Sequence, residues 1–191
     1  MGRTRAFDQQ GVLWAAANLF RQRGYRNVSI ADVAAATGLV SGSIYNAFGD
    51  KAGLFRAALR HYVDNFVMQR LLAHAGDGAG LEDLQELYLS VLRPPLADGG
   101  GCLVTNSVIE FGMADGAMAD ELAVVLDAVR SRIGGVLRRE LPAAEVPAAT
   151  MRLVLLYHGL LALSRSATPA HDMRDAVLSE FDALRRLRER I

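Results

Sequence analysis

The stretch from Ser29 to Lys51 is S-I-A-D-V-A-A-A-T-G-L-V-S-G-S-I-Y-N-A-F-G-D-K, and it predicts two short helices joined by a tight turn. Ser29 is a good N-cap residue, and Asp32 lies three positions later, where a carboxylate can accept a hydrogen bond from the capped backbone. Gly38 suits the left-handed conformation in which many helices end. Ser41 is expected to cap the second helix. Together these signals predict a helix-turn-helix motif.

The second helix of this pair has two different faces. Ile44 and Phe48 are four residues apart, so they share one side of the helix and are expected to face inward. The outward side chains would be Gly42, Ser43, Tyr45 and Asn46. A second helix with small or polar outward residues is typical of a helix-turn-helix that enters the major groove of DNA.

The composition favours an all-α globular protein. Of the 191 residues, 51% are hydrophobic and only five are proline. The one cysteine, Cys102, excludes an intrachain disulfide and suits a reducing cytoplasm. The polar N-terminus does not resemble a signal peptide, and the longest apolar run, residues 153–163, is too short to span a bilayer. We therefore expect a cytoplasmic helical protein.

The net charge of zero conceals an asymmetry along the chain. Residues 1–60 contain eight cations and three anions, so their net charge is +5 and that of the remainder is −5. Lys51 is the only lysine, and it lies at a helix N-terminus, where a cation opposes the helix dipole. A phosphate partner would account for both features, since a basic surface attracts nucleic acid whatever its sequence.

The residues around the helix-turn-helix resemble one family. The segment 16–55 is similar to the N-terminal domain of TetR/AcrR-type transcriptional regulators, most specifically in F-x-x-x-G-Y from Phe20 to Tyr25 and in I-Y-x-x-F-x-x-K from Ile44 to Lys51. This resemblance implies an all-α fold with a DNA-binding domain at residues 1–50 and a ligand-binding and dimerisation domain at residues 51–191. It also implies a homodimeric repressor that a small molecule releases from a palindromic operator.

The resemblance further implies roles for individual residues. Four donors, Ser29, Ser43, Tyr45 and Lys51, occupy positions that hold DNA phosphates in the family. Three residues, Ser41, Gly42 and Asn46, occupy positions that face the bases, where an asparagine can make a bidentate contact to adenine. A basic arm at residues 1–5 would lie along the DNA. The helix predicted over residues 51–75 would join the two domains and carry movement between them.

The C-terminal helices predict a dimer interface. The helix at 148–166 is apolar nearly all round and contains the small residues Gly159, Ala162 and Ser166, which permit close helix approach. The helix at 171–190 has an apolar stripe composed of Met173, Val177, Phe181, Leu184, Leu187 and Ile191. By resemblance, these two helices from each subunit would form a four-helix bundle. The same stripes would also suit an ordinary monomeric core.

No pattern in the sequence indicates an enzyme, a metal site or a cofactor site. The four histidines are scattered, and neither G-x-S-x-G nor G-x-G-x-x-G occurs. The apolar and polar residues of the second domain instead predict a pocket for an unknown small-molecule effector. Its candidate residues are Phe66, Cys102, Asn106, Phe111, Met113, Met118, Met151, Tyr157, His158 and Leu161. Trp14, by contrast, is expected to pack in the core of the small domain.

Cys102 leaves a second interpretation open. The string G-C-L-V-T-N from Gly101 to Asn106 resembles the G-C-L-x-x-N segment of a subset of these regulators, some of which sense oxidants or electrophiles through the cysteine. A cysteine at a helix N-terminus is more reactive, although the same residue can pack as a small hydrophobe. Further alternatives are a small-molecule-binding protein with a non-functional DNA-binding domain, an activator, or a regulator without a ligand.

Overall fold

The computed structural model describes residues 8–112 and 116–189, and within these ranges every regular element is helical, which confirms the all-α prediction. The α-helices in chain order are α1 (Gln9–Arg23), α2 (Ile30–Thr37), α3 (Ser41–Phe48), α4 (Lys51–Tyr62), α5 (Met68–Ala75), α6 (Leu81–Leu89), α7 (Leu103–Phe111), α8 (Gly116–Glu140), α9 (Val146–Leu163) and α10 (Ala170–Arg188). A π-helical turn, Val63–Val67, joins α4 to α5, and two 3₁₀ turns, Ser90–Leu92 and Leu96–Asp98, precede α7.

Helices α1 to α4 pack around an aromatic core. The rings of Phe20 and Phe55 meet edge to face with their centroids 5.0 Å apart, and both side chains are almost fully buried. Ile44, from the inward face of α3, is also fully buried. Truncating a buried phenylalanine of this kind costs about 3–5 kcal/mol, so this small core holds the orientation of α2 and α3 firmly.

The predicted helix over residues 51–75 differs from the structure at one point. The chain is helical throughout, but the turn Val63–Val67 is π-helical rather than α-helical. A π turn accommodates an extra residue, which changes the face on which the following side chains lie, and such turns occur frequently at functional sites. Tyr62 immediately precedes the turn and Phe66 lies within it.

Helices α5, α6, α8, α9 and α10 form the larger part of the molecule around a second part of the same core. The Tyr88 hydroxyl donates a hydrogen bond of 2.8 Å to the carbonyl oxygen of Leu153, and its ring contacts Phe181 edge to face. The α10 residues Met173, Val177, Phe181 and Leu184 are all buried here. Most of the stripe predicted for a dimer interface on α10 is therefore used in the core of one chain.

Several predicted boundaries change. Ser41 is the first helical residue of α3 rather than its cap; Val40 is the capping residue and makes no side-chain hydrogen bond, so that prediction is wrong. The helices predicted at 148–166 and 171–190 are observed at Val146–Leu163 and Ala170–Arg188. By length and composition, α9 passes the test for a membrane span, although its buried residues belong to the same core. The arm at residues 1–5, Met113 and Ile191 lie outside the described residues.

Candidate DNA-binding surface and effector region

The first helix of the helix-turn-helix begins with the predicted capping box. The Ser29 hydroxyl accepts a hydrogen bond of 3.1 Å from the Asp32 amide, and the Asp32 carboxylate accepts one of 2.7 Å from the Ser29 amide. Hydrogen bonds from Ser29, first from its hydroxyl and then from its backbone, lower the pKa of Asp32. Gly38 ends the helix at φ +69°, a conformation that favours glycine.

The outward face of α3 is as the sequence predicts. Gly42, Tyr45 and Asn46 are exposed, whereas Ser41 and Ser43 are partly buried at the edges of this face. Tyr45 exposes 51% of its surface, so its phenol is accessible to a partner outside the chain. A Cβ atom at Gly42 would meet nothing within 4 Å, so the glycine leaves open space along the helix.

A shallow depression of about 340 Å³ lies beside α3 and brings together three of the predicted phosphate-binding residues. Ser29, Tyr45 and Lys51 line it, from the N-termini of α2 and α4 and from the middle of α3. Ser43 is not part of its lining. The phenol and the ammonium group are suitable donors for a phosphate oxygen. The Ser29 hydroxyl donates to the Asp32 carboxylate, which also lines the depression, so it would have to exchange this bond for one to phosphate.

Five of the residues that line this depression were not predicted to bind DNA, and two of them are polar loop residues. Arg26 and Asn27, from the loop between α1 and α2, also line it. Lys51 points toward the same loop, with its Nζ 3.4 Å from the Arg26 carbonyl oxygen and 4.4 Å from the centre of the Tyr25 ring. The sequence signal for Arg26 was its positive charge immediately before the helix-turn-helix.

The residues predicted to form a ligand pocket do not form one cluster. Phe111 contacts Tyr25 and Phe55, with ring centroids 5.2 and 5.4 Å away, so it packs against the DNA-binding helices. The Asn106 amide donates hydrogen bonds to the carbonyl oxygens of Arg21 and Gly100, at 2.9 and 2.8 Å, and joins α1 to the start of α7. Met151 is 44% exposed on the outer side of α9, and Met113 lies outside the described residues.

The remaining candidates surround a buried polar region between the π turn, α7 and α9. The His158 ring lies 3.0 Å from the Thr105 hydroxyl, and burial lowers the pKa of this histidine, which favours its neutral form. The Tyr157 hydroxyl lies 3.2 Å from a donor nitrogen of Arg70, and burial raises the pKa of Tyr157. Leu161, Met118 and Cys102 are also buried.

Two polar atoms of this region lack a strong partner among the described residues. They are Nε2 of His158 and the Tyr62 hydroxyl, which faces the Cys102 thiol, a weak partner, and both atoms are shielded from solvent. Burial, and then the nearby Cys102 thiol, raise the pKa of Tyr62 well above its usual range. Buried polar groups in native proteins are nearly always paired, so unpaired ones are candidates for contacting a ligand. Tyr62 and Arg70 were missed because their apolar neighbours suggested an ordinary core helix.

Trp14 lies at the edge of this region rather than in the core of the small domain. Its indole ring stacks near Tyr62 and approaches Phe66, with centroids 6.1 and 6.3 Å apart, and the residue is 38% exposed. The prediction for Trp14 was therefore wrong. Within the part of the chain that the structure describes, no group of three acidic, histidine or cysteine side chains could hold a metal ion.

The comparisons with known proteins identify the class that this fold and surface define. Residues 12–58 match the family described as bacterial regulatory proteins, tetR family. Over most of its length the chain also superposes on solved structures of this family. One is the regulator CifR, as a cysteine mutant bound to 26-bp double-strand operator DNA, with a TM-score of 0.79 and 26% identity over 95% of this chain and 99% of CifR. Residues 12–58 therefore match the TetR family of transcriptional regulators, and the fold of the chain is similar to that of CifR.

Curated relatives resemble part of the chain. The transcriptional repressor ComR of Escherichia coli (strain K12) is 45% identical over 124 residues, which are 63% of this chain and 59% of ComR. The repressor BdcR of the same organism is 35% identical over 109 residues, which are 56% of this chain and 55% of BdcR. YezE, an uncharacterized regulator of Bacillus subtilis (strain 168), is 32% identical over 58% of each chain. The match therefore spans less than two thirds of each of these relatives.

Proposed function

We propose that this protein is a homodimeric transcriptional repressor that binds a palindromic operator and is released from it by a small-molecule effector. The observation that carries the proposal is the depression beside the exposed face of α3, where Ser29, Tyr45 and Lys51 converge. The name of ComR as a repressor and the operator complex of CifR support it. A protein with this role would work in the cytoplasm, where the chromosome is accessible.

The two faces around α3 would divide the work of DNA binding. The donors of the depression would hold backbone phosphates and contribute affinity without regard to sequence. Asn46 on the outward face would contact a base edge, and Gly42 would permit close approach of α3 to the groove. Residues 1–50 would then be the DNA-binding domain, and residues 51–191 would bind the effector and the second subunit.

An exposed stripe on α9 supports the dimer. Met151, Leu155 and Leu163 are 44%, 65% and 45% exposed, and with Gly159 they follow a four-residue spacing along one side of the helix. A Cβ atom at Gly159 would meet nothing within 4 Å, so a second helix has room to approach closely. Residues of α10 would flank this contact. A two-fold dimer presents two recognition helices to the two halves of a palindrome.

The buried polar region would hold the effector. A ligand that pairs with the Tyr62 hydroxyl and with Nε2 of His158 would satisfy two groups that otherwise lack a strong partner. Tyr62 is the last residue of α4, immediately before the π turn, and His158 lies on α9 against Thr105 of α7. The dimer would have two states that differ in the spacing of its two recognition helices. A ligand that binds one state more tightly shifts the equilibrium toward that state, by the difference between its binding free energies for the two.

Selection of bound duplexes from a random DNA pool by the purified protein tests the proposal. We expect an inverted repeat to be enriched at moderate salt, since each subunit would contact one half-site. Weak, salt-sensitive binding without enrichment, in protein refolded to remove any bound ligand, would instead indicate a small-molecule-binding protein with a non-functional DNA-binding domain. Placement of the repeat relative to promoters, followed by transcription assays, would distinguish repression from activation.

Substitutions around α3 are expected to separate affinity from specificity. Tyr45→Ala and Lys51→Ala should each weaken binding about tenfold for every sequence, because each removes a phosphate donor. Lys51→Ala should also reduce the slope of log affinity against log salt by about one. Asn46→Ala should instead relax the preference at one base position by about 1–3 kcal/mol. Binding profiles of the three variants across the selected sequences provide the measurement, and the reverse pattern would contradict these assignments.

Cys102 supports a second route to release. The thiol lies at the N-terminus of α7 beside the Tyr62 hydroxyl, so a reaction there would disturb the proposed effector region directly. It is buried, so a reagent would reach it only when this region opens. Addition to a small unsaturated electrophile would form a carbon–sulfur bond, with the thiol proton passing to the electrophile. If this is the signal, N-ethylmaleimide should lower operator affinity at least tenfold in the wild-type protein and not in Cys102→Ser. Equal responses in the two proteins would exclude this route.

A further inference from the structure

A side chain from α7 holds the loop between α1 and α2 in place. Glu110, near the end of α7, accepts hydrogen bonds from the backbone N–H groups of Tyr25 and Arg26, at 2.8 and 2.9 Å. One carboxylate oxygen serves each amide, so both are engaged. Hydrogen bonds with an ionised acceptor are stronger than neutral ones. These two hydrogen bonds therefore restrain the loop more firmly than the residues of the loop would by themselves.

Gly24 makes this contact possible. The residue has φ +81°, and a Cβ atom at this position would lie 3.1 Å from a carboxylate oxygen of Glu110. Phe111, the next residue of α7, packs on the Tyr25 ring. Two neighbouring residues of α7 therefore contact the same short loop: the Glu110 carboxylate binds the loop backbone, and the Phe111 ring packs on the Tyr25 side chain.

The restrained loop is part of the depression that would hold a phosphate. Arg26 lines the depression, and the Lys51 ammonium lies against both the Tyr25 ring and the Arg26 carbonyl oxygen. Glu110 is thus connected to Arg26 and, through Tyr25 and the Arg26 carbonyl, to Lys51, the two cations that line the depression. A shift of the Tyr25–Arg26 backbone would move Arg26 directly and would remove the surface against which Lys51 rests.

An acidic residue in this part of the molecule would otherwise oppose DNA binding, because a negative charge near a basic DNA-binding surface repels phosphate. We infer that Glu110 is a positioning residue for DNA binding, which aligns Arg26 and Lys51 through the backbone of Tyr25 and Arg26. This inference rests on the proposed function. The same helix begins beside Cys102 and carries Thr105 against His158, so it also joins the proposed effector region to the loop.

Glu110→Gln distinguishes positioning from simple charge. The glutamine removes a negative charge, so a purely electrostatic role predicts tighter DNA binding. Its NH₂ group, however, faces a backbone N–H and cannot accept from it, so loss of alignment predicts weaker binding. We expect affinity for the selected operator and for a random duplex to fall about tenfold. Glu145→Gln makes the same charge change in the turn before α9, and we expect it to bind within twofold of the wild type.

Amide hydrogen exchange of the DNA-free protein supplies a readout at the contact itself. We expect the Tyr25 and Arg26 amides to lose protection in Glu110→Gln, while amides in the core of α8 remain protected. Glu110→Asp, which keeps the charge and shortens the side chain, should also weaken DNA binding, and it replaces the glutamine variant if that one unfolds. Unchanged or tighter DNA binding by a folded variant would overturn the inference alone. A wild-type protein that binds no duplex at low salt would overturn both the inference and the proposed function.

Discussion

Replacing Leu155 by arginine is expected to dissociate the proposed dimer and to lower operator affinity about a hundredfold or more. Leu155 is 65% exposed in one chain and lies at the middle of the α9 stripe. Across a two-fold axis the substitution would place two uncompensated guanidinium groups in an apolar contact, and a buried unpaired charge costs about 3–5 kcal/mol. A monomer would retain only one recognition helix and hence one half-site.

Sedimentation of the free protein and titration of operator DNA measure the two parts of this prediction. Val124→Arg is the matched control, because Val124 is also an exposed apolar residue, 71% exposed, but lies on α8 outside the stripe. The control should remain dimeric and bind normally. A dimeric Leu155→Arg protein with wild-type operator affinity would show that the subunits associate through another surface.

Arg21→Met is expected to lower the free energy of unfolding by about 2–3 kcal/mol. The guanidinium is almost fully buried, forms a bidentate ion pair with Asp98 and donates a hydrogen bond of 3.1 Å to the Gly101 carbonyl oxygen. Methionine leaves that carbonyl and the Asp98 carboxylate without their partner, which is more costly than replacing both members of a pair. Because Asp98 is 38% exposed, water compensates part of the loss, and the value lies below that of a fully buried pair.

The effect of Arg21→Met is also expected to depend on pH. The hydrogen bond from Arg21 is the main reason that the pKa of Asp98 falls from 3.8 to about 2. A carboxyl group with a lower pKa in the folded protein stabilises the fold above pH 3.8, and this stabilisation is lost as the pH falls from 3.8 to about 2. The difference in the free energy of unfolding between the wild type and Arg21→Met should therefore narrow by about 1 kcal/mol over this pH range.

Urea unfolding at pH 7, 4 and 2.5 provides the measurement. Arg60→Met is the control, because the ion pair of Arg60 with Glu121 is largely exposed on the arginine side and is expected to contribute less than about 1 kcal/mol. Equal destabilisation by the two substitutions would show that the buried position of Arg21 gives it no special importance. A difference between wild type and Arg21→Met that is constant with pH would contradict the role of Asp98.

The local features of the DNA-binding helices could be predicted from the sequence because they depend on residues that are close together along the chain. The Ser29–Asp32 capping box joins residues three positions apart, and the left-handed end of α2 requires only Gly38. The outward face of α3 follows from helical periodicity once Ile44 is buried. The capping role predicted for Ser41 was the exception. A serine can be either the cap or the first helical residue, so the sequence could not decide whether Ser41 or Val40 is the last non-helical residue.

The effector region was predicted less well because apolar composition does not reveal which core a residue joins. Phe111 and Met151 were equally plausible as pocket residues, yet one packs against the DNA-binding helices and the other is exposed on α9. Trp14 lies near Phe66 because α1 packs along the helix that contains the π turn. Each of these positions depends on how helices cross, and helix crossing is determined by side chains from both partners.

By itself, the sequence determined the all-α class, the helix-turn-helix and the face of α3 that would contact DNA, since helix propensity, capping and periodicity act over a few residues. Only the tertiary structure decided how the two parts of the molecule are connected. The contacts of Arg21 with Asp98 and of Glu110 with Tyr25 join residues 77 and 85 positions apart. No local pattern marks such pairs, because their geometry arises only when buried helices bring distant backbone and side-chain groups within hydrogen-bonding distance.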